Sequence, residues 1–368
     1  MIIFLYLATV TINFIFGSKV FINPLNKYKN KYDVIVIIFT FIVFYILMSG
    51  YRNNSGLTND VLNNQLEYNI VNSYKVSTYE PLYVILMKIG RFFYLDFYTW
   101  RNVMILWALI LLFYTTLKWV QNPHFLFAMF ATNLLIQSSH IFRNFLALSV
   151  FFLGLCIYKY TEKKSKKFWF IFYTILASLI HSSYLVYFAI LLIDSNIYQK
   201  NKKIIYFGVA IFCLIIFFNG TQMPGIDFII SKMGVDRLVI YFQNHTRFGF
   251  ILFIILHMTS LFSIWLIRKN GFKTKSNKVS LDINYITIIF YPLFMIDGTF
   301  IRLVRNLLLE IYSTQGDYLI DSTVNRKKLE YLLYTIIFSI FWFLITYFIQ
   351  SKPEILYYPF FTDNIYFK

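Results

Sequence analysis

Long apolar runs alternate with short polar connections along all 368 residues of the chain. Several runs reach about 18 or more apolar residues, which is long enough to cross a bilayer as helices. A transmembrane β-barrel would instead show alternation over about ten residues, and the sequence has no such alternation. The pattern therefore predicts an all-α, polytopic membrane protein in which residues 1–368 form a single membrane domain.

The apolar runs predict about 10 to 12 transmembrane helices. Residues 167–194 form either one long helix or two short helices with a break at His181. The break keeps all the basic clusters described below on one side of the membrane, and such a break is tolerated where it is buried or lines a wet cavity. The predicted crossings are 2–17, 34–50, 100–119, 125–140, 144–160, 167–194 (counted twice if broken), 204–219, 247–267, 283–295, 300–312 and 329–350.

Residues 80–95 are apolar but interrupted by Glu80, Pro81, Lys88 and Arg91. This stretch either spans the membrane or lies along its outer interface as an amphipathic helix. An odd number of crossings must separate the external loop before it from the lysine-rich hinge 159–167. Because three strong crossings already lie between them, we predict that residues 80–95 do not span.

The basic residues are concentrated in five short clusters. Twenty of the 34 Lys and Arg residues lie at 19–31, 159–167, 200–203, 268–278 and 326–328. Short cytoplasmic loops collect Lys and Arg, so these clusters are predicted to be cytoplasmic, and residues 51–99 and 220–246 to form external loops. Membrane topology thus explains the net charge of +17, and we do not expect a nucleic-acid partner.

The stretch 137–184 brings two ionisable side chains to the same end of a predicted helix pair. Arg143 opens one apolar run, the lysine hinge 159–167 follows, and a second apolar run ends at His181. An antiparallel pair would place both side chains at the end away from the hinge. Ionisable groups at such positions are costly and commonly functional, although a topological arginine and a structural histidine are the alternatives.

Three further arginines are candidates for binding an anionic group. Arg52 directly follows the second apolar run, and Arg302 and Arg305 are three residues apart on one helical face. Guanidinium groups hold a diphosphate well because each donates two parallel hydrogen bonds. The alternatives are an interfacial position for Arg52 and structural ion pairs of the other two with Asp297 or Glu310.

Glu80 and His181 are candidates for proton transfer. A carboxylate at the membrane surface and an imidazole that titrates near neutral pH both suit a general base. Glu80 is alternatively a helix-terminal acid that favours the macrodipole. Asp60 and Tyr68 of the external loop are candidates for binding the substrate, and the alternative for Asp60 is a solvated loop acid. Tyr68 is an aromatic of the external loop that either stacks on a sugar or belongs to an interfacial aromatic belt.

The sequence contains no GxxxxGK[ST] loop, HExxH helix, DxD pair or Cys/His cluster with zinc spacing. We therefore expect neither a metal nor another cofactor.

Four fragments in order resemble the EpsG family, which is grouped with the Wzy-type polymerases of bacterial surface polysaccharides. They are YRNNSGLTNDVLNNQLEY, YEPLYVILMKIG, FRNFLALSVFFLGLCIYKY and LASLIHSSYLVYFAILL, and the tail YYPFF is similar to the family's ending. Asn144 departs from the family, where Gln is commoner, and GLTND departs from a tighter glycine–aspartate step before Asp60. The residues that match the family pattern are Arg52, Asp60, Tyr68, Glu80, Pro81, Arg143, Asn144, Ala147, His181 and Ser183.

The resemblance implies a metal-independent membrane glycosyltransferase similar to the GT-C enzymes. It would transfer a growing glycan from undecaprenyl diphosphate to a lipid-linked repeat unit at the outer face of the bacterial cytoplasmic (inner) membrane. Its partners would be the undecaprenyl-diphosphate-linked oligosaccharide, membrane lipid, a flippase and a chain-length regulator. The expected proton acceptor is His181, and Glu80 is the alternative proton acceptor. A polyprenyl-linked glycan flippase or other transporter and a membrane O-acyltransferase are the alternative functions.

Overall fold

The computed structural model of the chain describes residues 1–22, 31–52, 59–72, 77, 79–223, 249–320, 326–350 and 353–367. Over these residues the chain is helical and contains no β-strand, which confirms the predicted all-α membrane architecture. Most of the predicted external loop 220–246 lies outside the described residues. Two compact units are present: one is Met1–Tyr187 with Tyr312–Lys368, and the other is Phe188–Ile311.

The described residues contain 17 α-helices. The first nine are α1 Ile2–Ile22, α2 Lys31–Gly50, α3 Asn59–Ile70, α4 Pro81–Phe92, α5 Phe97–Trp119, α6 Pro123–Asn133, α7 Leu135–His140, α8 Phe142–Tyr160 and α9 Lys166–Ser178. A 3₁₀ helix, Ser182–Asp194, follows. The others are α10 Asn196–Phe218, α11 Gly249–Lys269, α12 Lys275–Thr287, α13 Tyr291–Ile296, α14 Arg302–Arg305, α15 Leu308–Ile320, α16 Arg326–Ile345 and α17 Pro353–Thr362.

Seven helical segments of the described chain are long and apolar enough to cross a membrane. They are Lys31–Gly50, Phe97–Trp119, Phe142–Tyr160, Asn196–Phe218, Gly249–Lys269, Lys275–Ile296 and Lys327–Phe348. Two shorter apolar helices, Ile2–Ser18 and Ser182–Asp194, accompany them. Helix α4 is not among these segments, as predicted: its 12 residues extend only about 18 Å, against a hydrocarbon thickness of about 30 Å.

The predicted crossings 125–140 and 300–312 are not single helices. Residues 125–140 divide between α6 and α7, and nearly all of their side chains are buried within the protein, where an interrupted helix is tolerated. The predicted crossing 300–312 is divided between short helical segments, and the last of them, α15, continues beyond residue 312 to Ile320. Hydropathy missed that continuation because Gln315 and Asp317 are polar, yet both side chains are buried in protein and not in lipid.

Side-chain caps fix the starts of two helices in the first unit. Asp96 precedes α5, and its Oδ1 accepts the backbone N–H groups of Tyr98 and Thr99 at 2.9 and 3.0 Å. Asn122 precedes α6 and accepts the N–H of Phe125 at 3.1 Å, with Pro123 in the first turn. Each cap satisfies donors that the helix itself leaves without acceptors, and stabilises the helix by about 1 kcal/mol.

Helices α8 and α9 form the hairpin predicted around the lysine hinge. The connection between them covers only residues 161–165, and the two helices pack on each other along their lengths. Helix α9 ends at Ser178, and the next helix begins at Ser182, which confirms the predicted break at His181. The hairpin therefore brings the start of α8 and the end of α9 to the same end of the first unit.

The C-terminal tail docks on the end of α2 within the same unit. Asn364 forms an antiparallel bridge with Tyr51, and its amide donates to the Leu47 carbonyl at 3.2 Å. A Cβ on Gly50 would lie 2.2 Å from the Asn364 side chain, so only glycine permits this approach. The aromatic tail is thereby fixed next to Arg52, whose N–H donates to the Asp363 carbonyl at 3.1 Å.

The second unit contains helices α10 to α14 and the first residues of α15. Helix α13 packs on α10 and α11. His257 on α11 is buried, and its Nδ1 lies 2.8 Å from the Tyr291 hydroxyl. The Ser280 hydroxyl on α12 donates to the buried carboxylate of Glu310. His257 is therefore held inside this unit by the Tyr291 hydroxyl.

Candidate functional site

The first turn of α4 is joined to the end of α9. The backbone N–H groups of Leu82 and Tyr83 donate to the carbonyl of Leu179 at 3.0 and 3.3 Å. Donors at a helix start and acceptors at a helix end are both left over by helical bonding, so each terminus satisfies the other. This contact brings Glu80, which precedes α4, to the end of the α8–α9 hairpin.

Glu80 links three elements through its two carboxylate oxygens. Oε2 accepts from Arg143 Nη1 at 2.5 Å, and Oε1 accepts the backbone N–H of Ser182 at 2.8 Å. Glu80 occupies the N-cap position of α4, but its side chain makes no capping bond to that helix. It serves instead as the anion at the start of the 3₁₀ helix, where a negative charge is favourable.

The guanidinium of Arg143 is held in position but is not fully used. It lies over the Tyr79 ring at 4.3 Å from the centroid, and Glu80 takes one of its donors. A guanidinium has five N–H donors in a planar fork. Among the described residues the others have no hydrogen-bond partner, and 18% of the side chain is exposed. Arg143 is therefore a pre-oriented cation with donors available to a ligand.

His181 lies directly beside this cluster, half-buried between the end of α9 and the start of the 3₁₀ helix. Its Nδ1 is 3.0 Å from the Ser183 hydroxyl and accepts the Ser183 backbone N–H at 3.4 Å. The sequence-based expectation that Arg143 and His181 share one end of the hairpin agrees with this geometry. The catalytic roles assigned to His181 and Glu80 remain predictions.

A buried hydrogen-bond chain supports the site from below. The Tyr83 hydroxyl donates to Asn64 Oδ1 at 2.7 Å, and the Asn64 amide donates to the Asp60 carbonyl at 2.5 Å. Burial raises the pKa of Tyr83 well above its usual range, while the Arg143 and Arg101 charges oppose that rise, so the phenol stays a neutral donor. The side chain of Asp60 itself is exposed on the first turn of α3.

Tyr68 belongs to the aromatic core beneath α4. It is fully buried, its hydroxyl donates to the Leu95 carbonyl at 2.8 Å, and its ring stacks on Trp100 with centroids 4.8 Å apart. A Cβ on Gly90 would lie 2.3 Å from Trp100, so α4 packs closely against this core. In this arrangement Tyr68 supports the fold of the external segment and presents no exposed face to a sugar.

Arg52 lies at the end of α2 and has a different set of partners from Arg143. Its guanidinium is 4.3 Å from the Tyr98 ring centroid, and its carbonyl accepts from the Tyr98 hydroxyl at 2.5 Å. Asp96 lies nearby. The hydroxyl of Thr99 lowers the pKa of that carboxyl, and backbone N–H groups and the Arg52 charge act in the same direction. Direct contact between Arg52 and a diphosphate stays a prediction.

Arg302 and Arg305 belong to the second unit. Arg302 is half-exposed, whereas Arg305 is buried with 5% exposure. They are the first and last residues of a four-residue helix, α14, so their i, i+3 spacing holds, although only the Arg305 side chain is buried. Asp297 caps the preceding 3₁₀ turn by accepting the Thr299 N–H at 2.6 Å. Binding of a diphosphate by these two arginines stays a prediction.

Arg101 is a buried residue near the site that the sequence pattern did not indicate. This arginine is fully buried in the first turns of α5 and donates to the Tyr51 carbonyl at 3.1 Å and to the Ser139 carbonyl at 2.7 Å. It connects the ends of α2, α5 and α7 beneath the site. A lone arginine at the start of an apolar run was the available signal, but such residues are usually interfacial, so the pattern alone gave no reason to select it.

No group of three or more His, Cys, Asp or Glu side chains in the described part of the chain is arranged to hold a metal ion. The expectation of a metal-independent reaction stays a prediction.

Comparison with known protein families gives a match. The model of the EpsG family matches residues 35–362, which is most of the chain and includes both units. No curated protein and no solved structure matches the chain. The matched range contains Glu80, Arg143 and His181.

Proposed function

Because the chain belongs to the EpsG family, we propose that this multi-pass membrane protein polymerises a bacterial surface polysaccharide. It transfers the growing glycan from undecaprenyl diphosphate to the next lipid-linked repeat unit, as a glycosyltransferase that needs no metal. The reaction takes place at the outer face of the cytoplasmic membrane. The five basic clusters are predicted to be cytoplasmic, and the ends of α8 and α9 that carry the site would then lie at the outer face.

The observation that supports this proposal most strongly is the cluster of Glu80, Arg143 and Ser182. These residues are 63 and 102 positions apart in the sequence, measured from Glu80. They come from three of the fragments by which the chain resembles polysaccharide polymerases: the EP start, the R-N-x-L-A helix and the H-x-S break. Their convergence gives one half-exposed site that combines an available guanidinium with a helix start.

A guanidinium at this position suits the chemistry of the reaction. The bond between the anomeric carbon and the diphosphate oxygen breaks, and the diphosphate leaves with the electron pair. A hydroxyl of the acceptor sugar forms the new glycosidic bond and gives its proton to a general base, for which His181 and Glu80 are the candidates. Arg143 stabilises the charge that develops on the leaving diphosphate, and this kind of pre-oriented electrostatic stabilisation is commonly the largest contribution to catalysis.

Deletion of the gene followed by a gel of surface polysaccharide tests the proposal. We expect the polymer ladder to collapse to a single repeat unit and to return when the native chain is supplied. An unchanged ladder would refute the polymerase function. Lipid-linked repeat units retained on the cytoplasmic side would indicate a flippase instead, and loss of an acyl group from a full-length polymer would indicate an O-acyltransferase.

The same activity measured with purified protein tests metal independence. We expect polymerisation to continue in EDTA at the rate seen without it, because arginines supply the positive charge that a metal gives in other transferases. Activity that is lost in EDTA and restored by Mg²⁺ would contradict this part of the proposal.

A further inference from the structure

Arg101 carries a buried positive charge that no carboxylate in the described part of the chain contacts. The acceptors of its two hydrogen bonds are the backbone carbonyls of Tyr51 and Ser139. Its Nε is buried as well and has no hydrogen-bond partner among the described residues. A buried ion without an oppositely charged partner is costly, so a cation kept in this state commonly has a function.

The groups that act most strongly on the charge of Arg101 do not neutralise it. They are Arg52 and the tyrosines Tyr51, Tyr83 and Tyr98. Arg52 has a charge of the same sign, and tyrosine hydroxyls are neutral near pH 7. The field of Arg101 therefore remains available to an anion that binds close by.

Two aromatic rings connect Arg101 to the guanidinium of Arg143. Arg101 Cζ lies 5.7 Å from the ring centroid of Phe142, and Arg143 Cζ lies 5.7 Å from that of Tyr83. Both rings are buried, and their centroids are 6.0 Å apart. Buried groups screen a charge much less than water does. The charge of Arg101 can thus act on a ligand of Arg143 through the interior of the protein.

We propose that Arg101 is a remote electrostatic residue that makes the site at Arg143 selective for a diphosphate over a monophosphate. Arg101 does not contact the ligand. Its buried charge strengthens binding in proportion to the negative charge that the ligand carries, and the ligand class is an isoprenoid diphosphate.

The inference rests on the proposed function and adds a role in the reaction. When the bond between the anomeric carbon and the diphosphate oxygen breaks, the diphosphate keeps the electron pair and gains a negative charge. A fixed cation close to the leaving group stabilises this developing charge. No proton moves to or from Arg101, so His181 and Glu80 stay the candidates for accepting the proton of the acceptor hydroxyl.

Two substitutions of Arg101 separate its charge from its hydrogen bonds. Arg101→Gln removes the charge but keeps an amide donor for one carbonyl, whereas Arg101→Met removes the charge and both hydrogen bonds. Trp100→Phe is the matched control. The ring of Trp100 contacts those of Phe142 and Tyr83, each at 5.7 Å between centroids, so this substitution disturbs the same aromatic pair without changing a charge.

The measurement is binding of farnesyl diphosphate and farnesyl phosphate to the purified full-length protein in detergent near pH 7.5. The diphosphate carries about one more negative charge than the monophosphate at this pH. Two unit charges roughly 10–15 Å apart, in a medium with an effective dielectric constant of about 20, change an affinity about five- to fifteenfold. We expect the ratio of the diphosphate affinity to the monophosphate affinity to fall by about this factor in both Arg101 variants.

The same ratio should stay within about twofold of native in Trp100→Phe. A ratio that stays native in both Arg101 variants would overturn the proposal. A fall confined to Arg101→Met would overturn it too, because the effect would then belong to the lost hydrogen bonds. An equal fall in Trp100→Phe would assign the effect to the packing of the aromatic pair. Thermal denaturation identifies the folded variants, and either Arg101 variant alone, compared with Trp100→Phe, still decides between charge and ring packing.

The polysaccharide ladder of the deletion strain tests the polymerase function independently of these binding data. A ladder that is unchanged by the deletion, together with a lower ratio in the Arg101 variants, would refute the polymerase and keep the diphosphate site. A ladder that collapses, together with a native ratio in those variants, would refute only the role of Arg101.

Discussion

Helix α8 carries a cation near each end, and the two cations have opposite environments. Arg143 near its start is 18% exposed in its side chain, is paired with Glu80, and keeps donors without a partner among the described residues. Lys159 near its end is 4% exposed and donates to the hydroxyls of Ser313 and Thr314 at 2.8 and 2.6 Å. One cation is prepared for a ligand, and the other has its donors occupied by the protein.

The surroundings of Lys159 reinforce this difference. Its ammonium also lies 4.8 Å from the Tyr160 ring centroid, and the Tyr160 hydroxyl donates to Asp317 Oδ2 at 2.6 Å. The other oxygen of Asp317 accepts the Gln121 N–H at 2.9 Å. A buried lysine whose donors are engaged holds helices together. A conspicuous charge in an apolar helix therefore indicates a ligand site only when some of its donors remain available.

The largest effect that would sharpen the comparison is expected at Arg143. Arg143→Ala should reduce polymer formation by about 100-fold or more while the protein stays in the membrane, because a charge-stabilising donor is removed from the reacting diphosphate. Arg143→Lys should restore little, since an ammonium does not reproduce a planar fork. The polysaccharide ladder and a membrane immunoblot measure both. Full activity of the lysine variant would show that only the positive charge at position 143 is needed, and not the planar fork of the guanidinium.

The sequence allowed the hairpin and its ends to be predicted, but not what links them. Two apolar runs around a lysine hinge were enough to bring Arg143 and His181 together. Glu80 was recognised as a candidate, yet its role as a link was not, because partners so distant in sequence are paired only by the tertiary fold. The polar end of α15 was missed for a related reason: hydropathy describes helices in lipid, whereas Asp317 is surrounded by protein.

Glu80→Gln is expected to have the next largest effect. The amide oxygen can still accept the Ser182 N–H, but the charge that orients Arg143 is lost. A charge-assisted hydrogen bond exceeds a neutral one by about 1 kcal/mol, so we expect a loss of about five- to tenfold, mainly in KM. Kinetics with a lipid-linked repeat unit measure this. A fall in kcat of about 100-fold or more, with an unchanged KM, would instead identify Glu80 as the general base.

Lys159→Met tests the other end of α8. It should destabilise the protein by about 1–3 kcal/mol, because the Ser313 and Thr314 hydroxyls lose a buried partner. Activity per folded molecule should stay close to native. Thermal denaturation in detergent, together with polymer yield normalised to protein amount, separates the two quantities. Loss of activity in a variant of native stability would break the comparison, since Lys159 would then act in the reaction.

The smallest effect is expected at Tyr79, which tests whether the orientation of Arg143 matters separately from its charge. The ring of Tyr79 packs against the face of the Arg143 guanidinium, while Glu80 accepts a hydrogen bond from the edge of the guanidinium. A partly exposed cation–π contact contributes about 0.5–1 kcal/mol, so Tyr79→Leu should lower the polymer rate about two- to fivefold. Tyr79→Phe keeps the aromatic face and should stay within twofold of native, which makes it the control for the hydroxyl.

Equal losses in both variants would assign the effect to the hydroxyl, and no loss in either would mean that Glu80 alone orients Arg143. A loss confined to Tyr79→Leu would show that the cation at this end of α8 is positioned from its face as well as from its edge, in contrast to Lys159, whose ammonium is held by hydroxyl groups.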